Sequence, residues 1–323
     1  MTTGAFDSVL LLAFGGPTRP EEIRPFLDNV LRGRTVPQER YESVVQHYIE
    51  VGGSSPLGRL TGAQAEGLRG LLRREGPDLP VFVGMRHWHP YINDTLGAMA
   101  GRGLRRAIGI VLAAHPSQAS GEAYFRAVSE AQRRVGPNAP AVEFVDGWYE
   151  HPLFIEALAG RLRAAREQVP KDRRDQASLL FTAHSIPVAM SDEAGYEKAL
   201  RRTADLVAEA AGAGDWKLVY QSRSGSPQER WLEPDVCEAI AEEARRGASD
   251  VVVAPIGFVS DHVEVLYDLD IEAKAAALEY GLGFHRAGTP GDHPTFARLL
   301  AGLVRERAGR DQSTRDPSTH EPA

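Results

Sequence analysis

Asp250-Val-Val-Val-Ala-Pro-Ile-Gly257 decides the fold. After its first residue the run is apolar, rich in β-branched side chains, and closed by proline and glycine. A strand apolar on both faces belongs inside a parallel sheet covered by helices above and below. Working outward, similar short runs recur with helical stretches between them. Strands are predicted at 8–14, 81–85, 107–113, 178–183 and 217–221. Helical spacing is predicted at 20–31, 92–100, 151–169, 193–213, 234–246 and 293–307. This alternation gives an α/β protein with parallel sheets flanked by helices. The rhythm occurs twice, with a border near Gly147-Trp148-Tyr149. The expected plan is two Rossmann-like domains, 1–148 and 149–308, with a cleft between them and a polar, disordered tail over 309–323.

Bulk properties remove several classes of function. The net charge of -7 over 323 residues gives no basic footprint for nucleic acid. Cys237 is the only cysteine, so neither an intrachain disulfide nor a four-cysteine iron–sulfur cluster is available. The first residues lack a positive region, their apolar run is too short for a signal peptide, and no stretch approaches a transmembrane span. A cytoplasmic protein is expected. Nucleotide-binding glycine loops, the HExxH zinc pair and the GxSxG elbow are all missing, so the strand ends must serve another ligand.

Ligands of open α/β sheets sit beyond the carboxyl ends of the strands. Three such ends carry unusual chemistry: Phe14-Gly15-Gly16-Pro17, Ala183-His184-Ser185-Ile186-Pro187, and Gly257 through Glu272. His184 is a metal ligand or proton carrier, or else a histidine that organises its turn; the residues weigh these equally. Glu264, Asp268 and Glu272 recur every four residues and form one stripe of like charge. Such a stripe calls for solvent or a cation. Asp261 and Glu264 also fit a capping box, with Asp261 as N-cap. Arg32 and Arg34 fit a helix C-terminus or a fork for ligand carboxylates. Ser55, in Gly52-Gly53-Ser54-Ser55-Pro56, reads first as a turn and second as an anion contact. His87-Trp88-His89-Pro90-Tyr91 offers loop packing or a flat wall for a planar ligand.

Together these residues resemble the ferrochelatases. The stretch Pro255-Ile-Gly-Phe-Val-Ser-Asp-His-Val-Glu-Val-Leu-Tyr-Asp-Leu-Asp-Ile-Glu272 is close to the family signature along its whole length. Ala183-His184-Ser185-Ile186-Pro187 matches a second element, and Gln221-Ser222 with Trp231-Leu232-x-Pro234-Asp235-Val236 a third. Gly52-Gly53-x-Ser55-Pro56-Leu57 and Leu12-x-Phe14-Gly15-Gly16-Pro17 complete the set, in order, between about residues 8 and 307.

The resemblance implies a chelatase-like fold with a porphyrin cleft between the domains. It implies that His184 and Glu264 are the catalytic pair, and that Asp268 and Glu272 continue from them as a metal-binding line. It also implies a π-type distortion in their helix. Phe14, Arg32, Arg34, Tyr48, Ser55, Tyr124 and Ser222 are the implied porphyrin contacts. Fe(II) would be a substrate, with no prosthetic group and no iron–sulfur cluster. The chain looks most like the short actinobacterial enzymes, which implies coproporphyrin III as substrate, with protoporphyrin IX as the alternative. Two other readings stay open: a non-catalytic porphyrin or haem carrier, and a cobalt or nickel chelatase. A monomer without transmembrane segment or nucleic-acid partner is expected, making at most transient contact with haem-pathway enzymes.

Overall fold

The computed structural model describes residues 5–117, 121–145, 147–224 and 228–315. The first half contains β1 (Ser8–Ala13), α1 (Ile23–Val30), α2 (Gln38–Glu50), α3 (Leu57–Glu75), β2 (Val81–Met85), α4 (Ile92–Gly101), β3 (Arg106–Val111), α5 (Ala123–Val135) and β4 (Ala141–Val145). The second contains α6 (Pro152–Glu167), β5 (Ser178–His184), α7 (Val188–Ala194), α8 (Tyr196–Ala211), β6 (Trp216–Gln221), α9 (Val236–Arg245), β7 (Asp250–Ala254) and α10 (Val263–Val265). A π-helical segment, Leu266–Ala273, follows α10. It leads into α11 (Lys274–Glu279), β8 (Gly283–Arg286) and α12 (Pro294–Arg315).

Two parallel sheets result, ordered β2-β1-β3-β4 and β6-β5-β7-β8. In each, the order reverses beside the first strand, which is where a doubly wound sheet opens its ligand crevice. The two sheets and their flanking helices are the two Rossmann-like units that the alternation predicts.

The strands are apolar throughout because each face has its own helices. Val9 and Leu11 of β1 pack inward with α3, while Leu10 and Leu12 pack outward with α4 and α5. Leu179, Phe181 and Ala183 of β5 point into the same inner core, and Leu180 into an outer cluster with α9 and the π segment. The inner core is continuous between the sheets and holds residues of α3, α6, α8 and α12. Each fully buried leucine or phenylalanine there contributes roughly 1.5–3 kcal/mol. A smaller cluster of Ile23, Phe26, Leu27, Val45 and Tyr48 holds α1 against α2.

One expectation is corrected. The polar residues from 309 do not begin a tail, because α12 continues to Arg315. Asp311 is 8% exposed and accepts both guanidinium nitrogens of Arg106, at 2.9 and 2.8 Å. A buried ion pair, not an apolar stripe, docks the end of this helix on the first residue of β3. Residues 316–323 lie outside the described part.

Candidate functional site

His184 is the last residue of β5, where the strand delivers its side chain to the crevice. Its Nδ1 lies 2.5 Å from the Ser185 carbonyl. A carbonyl only accepts, so Nδ1 carries the hydrogen and the neutral ring presents its lone pair at Nε2. Tyr196 steadies the main chain there by donating its hydroxyl to the His184 carbonyl at 3.3 Å.

The loop after β7 brings the acidic partner. Gly257 donates its N–H to the Thr182 carbonyl at 3.1 Å, and a Cβ at 257 would stand 2.6 Å from that of Ala183. Only glycine lets the loop lie so close to β5. The chain then turns into α10. Its cap is His262, not Asp261: His262 Nδ1 accepts from Val265 N at 3.3 Å. Asp261 is instead engaged by Arg286, at 3.3 and 3.2 Å, so the expected capping box does not form. Glu264 therefore does not reach back to cap the turn; it faces His184, with Oε2 3.7 Å from Nε2. His262 Nε2 approaches the same oxygen to 3.9 Å from another side.

The pair polarises itself. Burial disfavours the His184 imidazolium, but the Glu264 carboxylate, the Ser185 carbonyl and Asp268 outweigh it and raise its pKa. Burial would raise Glu264, yet His184 and then His262 hold it well below the ordinary carboxylate range. His262 itself is pushed down by burial.

Beyond Glu264 the helix widens to π pitch, which keeps side chains four residues apart near one line. Asp268 is buried and accepts from the Ser222 hydroxyl. Burial, with Glu264 and Glu272 nearby, pushes Asp268 up to about 7 against that hydrogen bond. Glu272, exposed at the outer end, is raised by partial burial and by Asp235. The stripe thus runs from solvent to the His184–Glu264 pair and becomes easier to protonate partway in.

The first half supplies the opposite wall. Phe14, 38% exposed at the end of β1, packs on His87 with ring centroids 4.4 Å apart. Burial drives His87 down to about 4, so this ring stays neutral near pH 7. Trp88 is mainly packing: its ring meets Phe26 edge-on and its Nε1 donates to Glu22 at 3.0 Å. His47 of α2 stacks flat on Tyr267 of the π segment at 3.6 Å, so the two walls touch.

The expected porphyrin contacts divide by availability. Arg32 and Arg34 are exposed after α1, and Arg32 donates to Asn29 Oδ1 at 2.6 Å. Ser55 is buried, and its Oγ accepts from Leu57 N at 3.3 Å, as a turn residue does. Ser222 spends its hydroxyl on Asp268. Tyr48 and Tyr124 are buried, and burial raises both phenols far above their ordinary range. The Arg86 guanidinium lies 6.0 Å over the Tyr124 ring.

Three residues of this site received no role from the sequence: His262 and Gln221, which stand inside the family elements, and Tyr196. His262 has a local signal, being two positions before Glu264 at a helix start. The other two act through main-chain carbonyls, which residue spacing does not reveal. Among the described residues no three His, Cys, Asp or Glu side chains converge to hold a metal ion, and no helix is long and apolar enough to cross a membrane.

Comparison with known proteins places the chain in a family. The family described as Ferrochelatase matches residues 7–308. The chain is 46% identical over 310 residues to the coproporphyrin III ferrochelatase of Nocardia farcinica, covering 94% of this chain and 88% of that one. It is 43% identical over 305 residues to the protein of the same name from Mycolicibacterium smegmatis, with 94% and 90% covered. SirB of Bacillus subtilis, solved with Fe3+, shares the fold at a TM-score of 0.62 and 12% identity, over 96% of this chain and 99% of that one. With a family match over nearly the whole chain and the His184–Glu264 pair at its strand ends, this protein belongs to the ferrochelatase family.

Proposed function

We propose that the protein inserts Fe(II) into coproporphyrin III to give Fe-coproporphyrin, acting as a monomeric cytoplasmic enzyme with iron as substrate and no prosthetic group. The halves 1–148 and 149–308 are the walls of its porphyrin cleft. The relatives named for coproporphyrin III, at 43–46% identity over 93–94% of the chain, support this substrate. The observation that carries the chemistry is His184 Nε2, set 3.7 Å from the Glu264 carboxylate at the mouth of the second sheet.

Insertion asks little covalent work of a protein. Iron must shed water, the macrocycle must bend, and two pyrrole protons must leave. Binding energy from the porphyrin rim drives the bending. Arg32 and Arg34 meet propionates as exposed guanidinium forks, and Phe14, tilted against His87, gives the ring an aromatic neighbour. Tyr48, Ser55, Tyr124 and Ser222 shape the pocket from beneath. His184 and Glu264 between them supply one imidazole nitrogen, one carboxylate and two places for protons. Asp268 and Glu272 hand cations inward and protons outward.

The test is anaerobic Fe(II) insertion followed by absorbance, with coproporphyrin III and protoporphyrin IX in parallel. Turnover of coproporphyrin, lost in His184→Ala and Glu264→Ala, is the expected result. Preference for protoporphyrin IX would overturn the substrate assignment. Tight porphyrin binding without insertion by the wild type would overturn catalysis.

A further inference from the structure

We propose that Gln221 is a positioning residue for metal insertion, fixing His184 and Glu264 relative to each other. The role rests on the function proposed above. Gln221 ends β6 and is 1% exposed. In the sheet it is the register partner of His184, and its carbonyl accepts the Ser185 N–H at 2.8 Å. Its main chain therefore holds β5 directly beside the imidazole.

The side chain reaches the other partner. Nε2 donates to the Glu264 carbonyl at 2.8 Å and lies 3.4 Å from Asp268 Oδ2. Oε1 accepts the Thr182 hydroxyl at 2.9 Å. The Glu264 carbonyl can only accept, which settles the amide orientation: NH2 toward the helix, oxygen toward the strand. One buried amide thus ties the strand that carries His184 to the backbone that carries Glu264. The tie falls where α pitch gives way to π pitch and ladder partners shift from four to five residues along. A fixed outside donor pins that junction, and with it the direction in which the Glu264 carboxylate leaves the main chain.

Loss of the amide removes the side-chain donor to the Glu264 carbonyl and the acceptor of the Thr182 hydroxyl together. Groups that orient metal ligands from behind are worth about 10–100-fold in activity, and an error of ~1 Å in a reacting group costs ~100-fold. Gln221 is too buried to meet the porphyrin rim, so the loss falls on kcat and leaves KM alone.

The experiment compares wild type, Gln221→Met, Thr182→Val and, as a destabilised reference remote from the site, Asp311→Asn. Each is assayed for anaerobic Fe(II) insertion into coproporphyrin III, for porphyrin affinity by fluorescence, and for melting temperature. Gln221→Met is expected to lose about 10–100-fold in kcat at unchanged KM and affinity. Thr182→Val, which unhooks one arm, is expected to lose about 2–10-fold in the same way. Asp311→Asn keeps kcat at temperatures below its melting. Wild-type kcat in folded Gln221→Met overturns the role. So does a rise in KM that accounts for the loss, or an equal kcat loss in Asp311→Asn. If Gln221→Met does not fold, Thr182→Val decides: reduced kcat at constant KM supports the role, and full kcat overturns it. A wild type without insertion overturns the ferrochelatase reading and the role together, a result distinct from an active wild type with an active Gln221→Met.

Discussion

Asp311→Ala tests the docking of the last helix in isolation from the chemistry. The side chains of Arg106 and Asp311 are 8% and 10% exposed, and two hydrogen bonds join them. Removing one member of a buried ion pair costs about 3–5 kcal/mol, because the other charge stays buried. Here the penalty is smaller, since Glu143 also takes Arg106 Nε at 2.6 Å. We expect about 2–3 kcal/mol once this remaining partner is allowed for. At about 2–4 °C per kcal/mol that is a fall in melting temperature of ~4–12 °C. Urea unfolding followed by circular dichroism reads the free energy directly. Arg310→Ala, one residue away but with a side chain 78% exposed, should change stability by under ~0.5 kcal/mol. Replacing both partners, as in Arg106→Met with Asp311→Leu, should recover much of the loss, since no charge is then left buried. An Asp311→Ala protein as stable as wild type would refute the reasoning and show that residues 309–315 are not anchored by this pair.

Three further outcomes are expected. The stability gap between wild type and Glu264→Gln should be widest near pH 5–6. Glu264, held low, contributes above its unfolded value and loses that contribution as acid approaches its folded one, while His184, held high, contributes below 6.5 and loses it as pH rises through its raised folded value; melting curves between pH 3 and 9 check this, and a gap that widens steadily with alkali would contradict it. Ser222 has φ +63 and donates to Asp268, so Ser222→Ala keeps the strained backbone and loses the bond, at about 1–2 kcal/mol, whereas Ser222→Gly relieves the backbone and loses less; chemical denaturation ranks the two. Arg32→Ala should raise KM for coproporphyrin about 3–10-fold and leave kcat within twofold, as loss of uniform binding does; equal loss in kcat would move Arg32 out of the binding role.

What the sequence discloses follows from where side chains point. Central strands such as Val9–Leu12 and Val251–Ala254 are readable because both faces are buried and every position is apolar. The edge strands Ala141–Val145 and Gly283–Arg286 are half-buried and carry no such run. Residues 57–75 form a helix of nineteen residues in spite of Gly58, Gly62, Gly67 and Gly70, which lower its propensity. Gly67 has a reason: a Cβ there would meet that of Ala297 on α12 at 3.0 Å. His184 and Glu264 are legible because strand ends hold ligands and a charge stripe demands a cation. Ser55 and Ser222 are legible as polar groups but not as groups with internal partners, since those partners appear only on folding. Asp311 is the clearest limit: it continues the face of Leu300, Val304 and Ala308, yet its partner lies 205 positions earlier.

That same distance sets an order of events in synthesis. Arg106 opens β3 of the first sheet and meets Glu143 from the neighbouring strand, but its bidentate partner Asp311 arrives only when residue 311 has been made. Phe6, close to the start of the chain, lies beneath the guanidinium groups of both Arg106 and Arg307, at 4.1 and 5.0 Å. The inner flank of the first sheet therefore stays open while the second half is translated, which at about 5–20 residues per second is roughly 8–33 seconds. Contacts so remote in sequence form late and slowly. The nascent first half spends that interval with an unfilled apolar groove along α3, and closing it is among the final steps of folding.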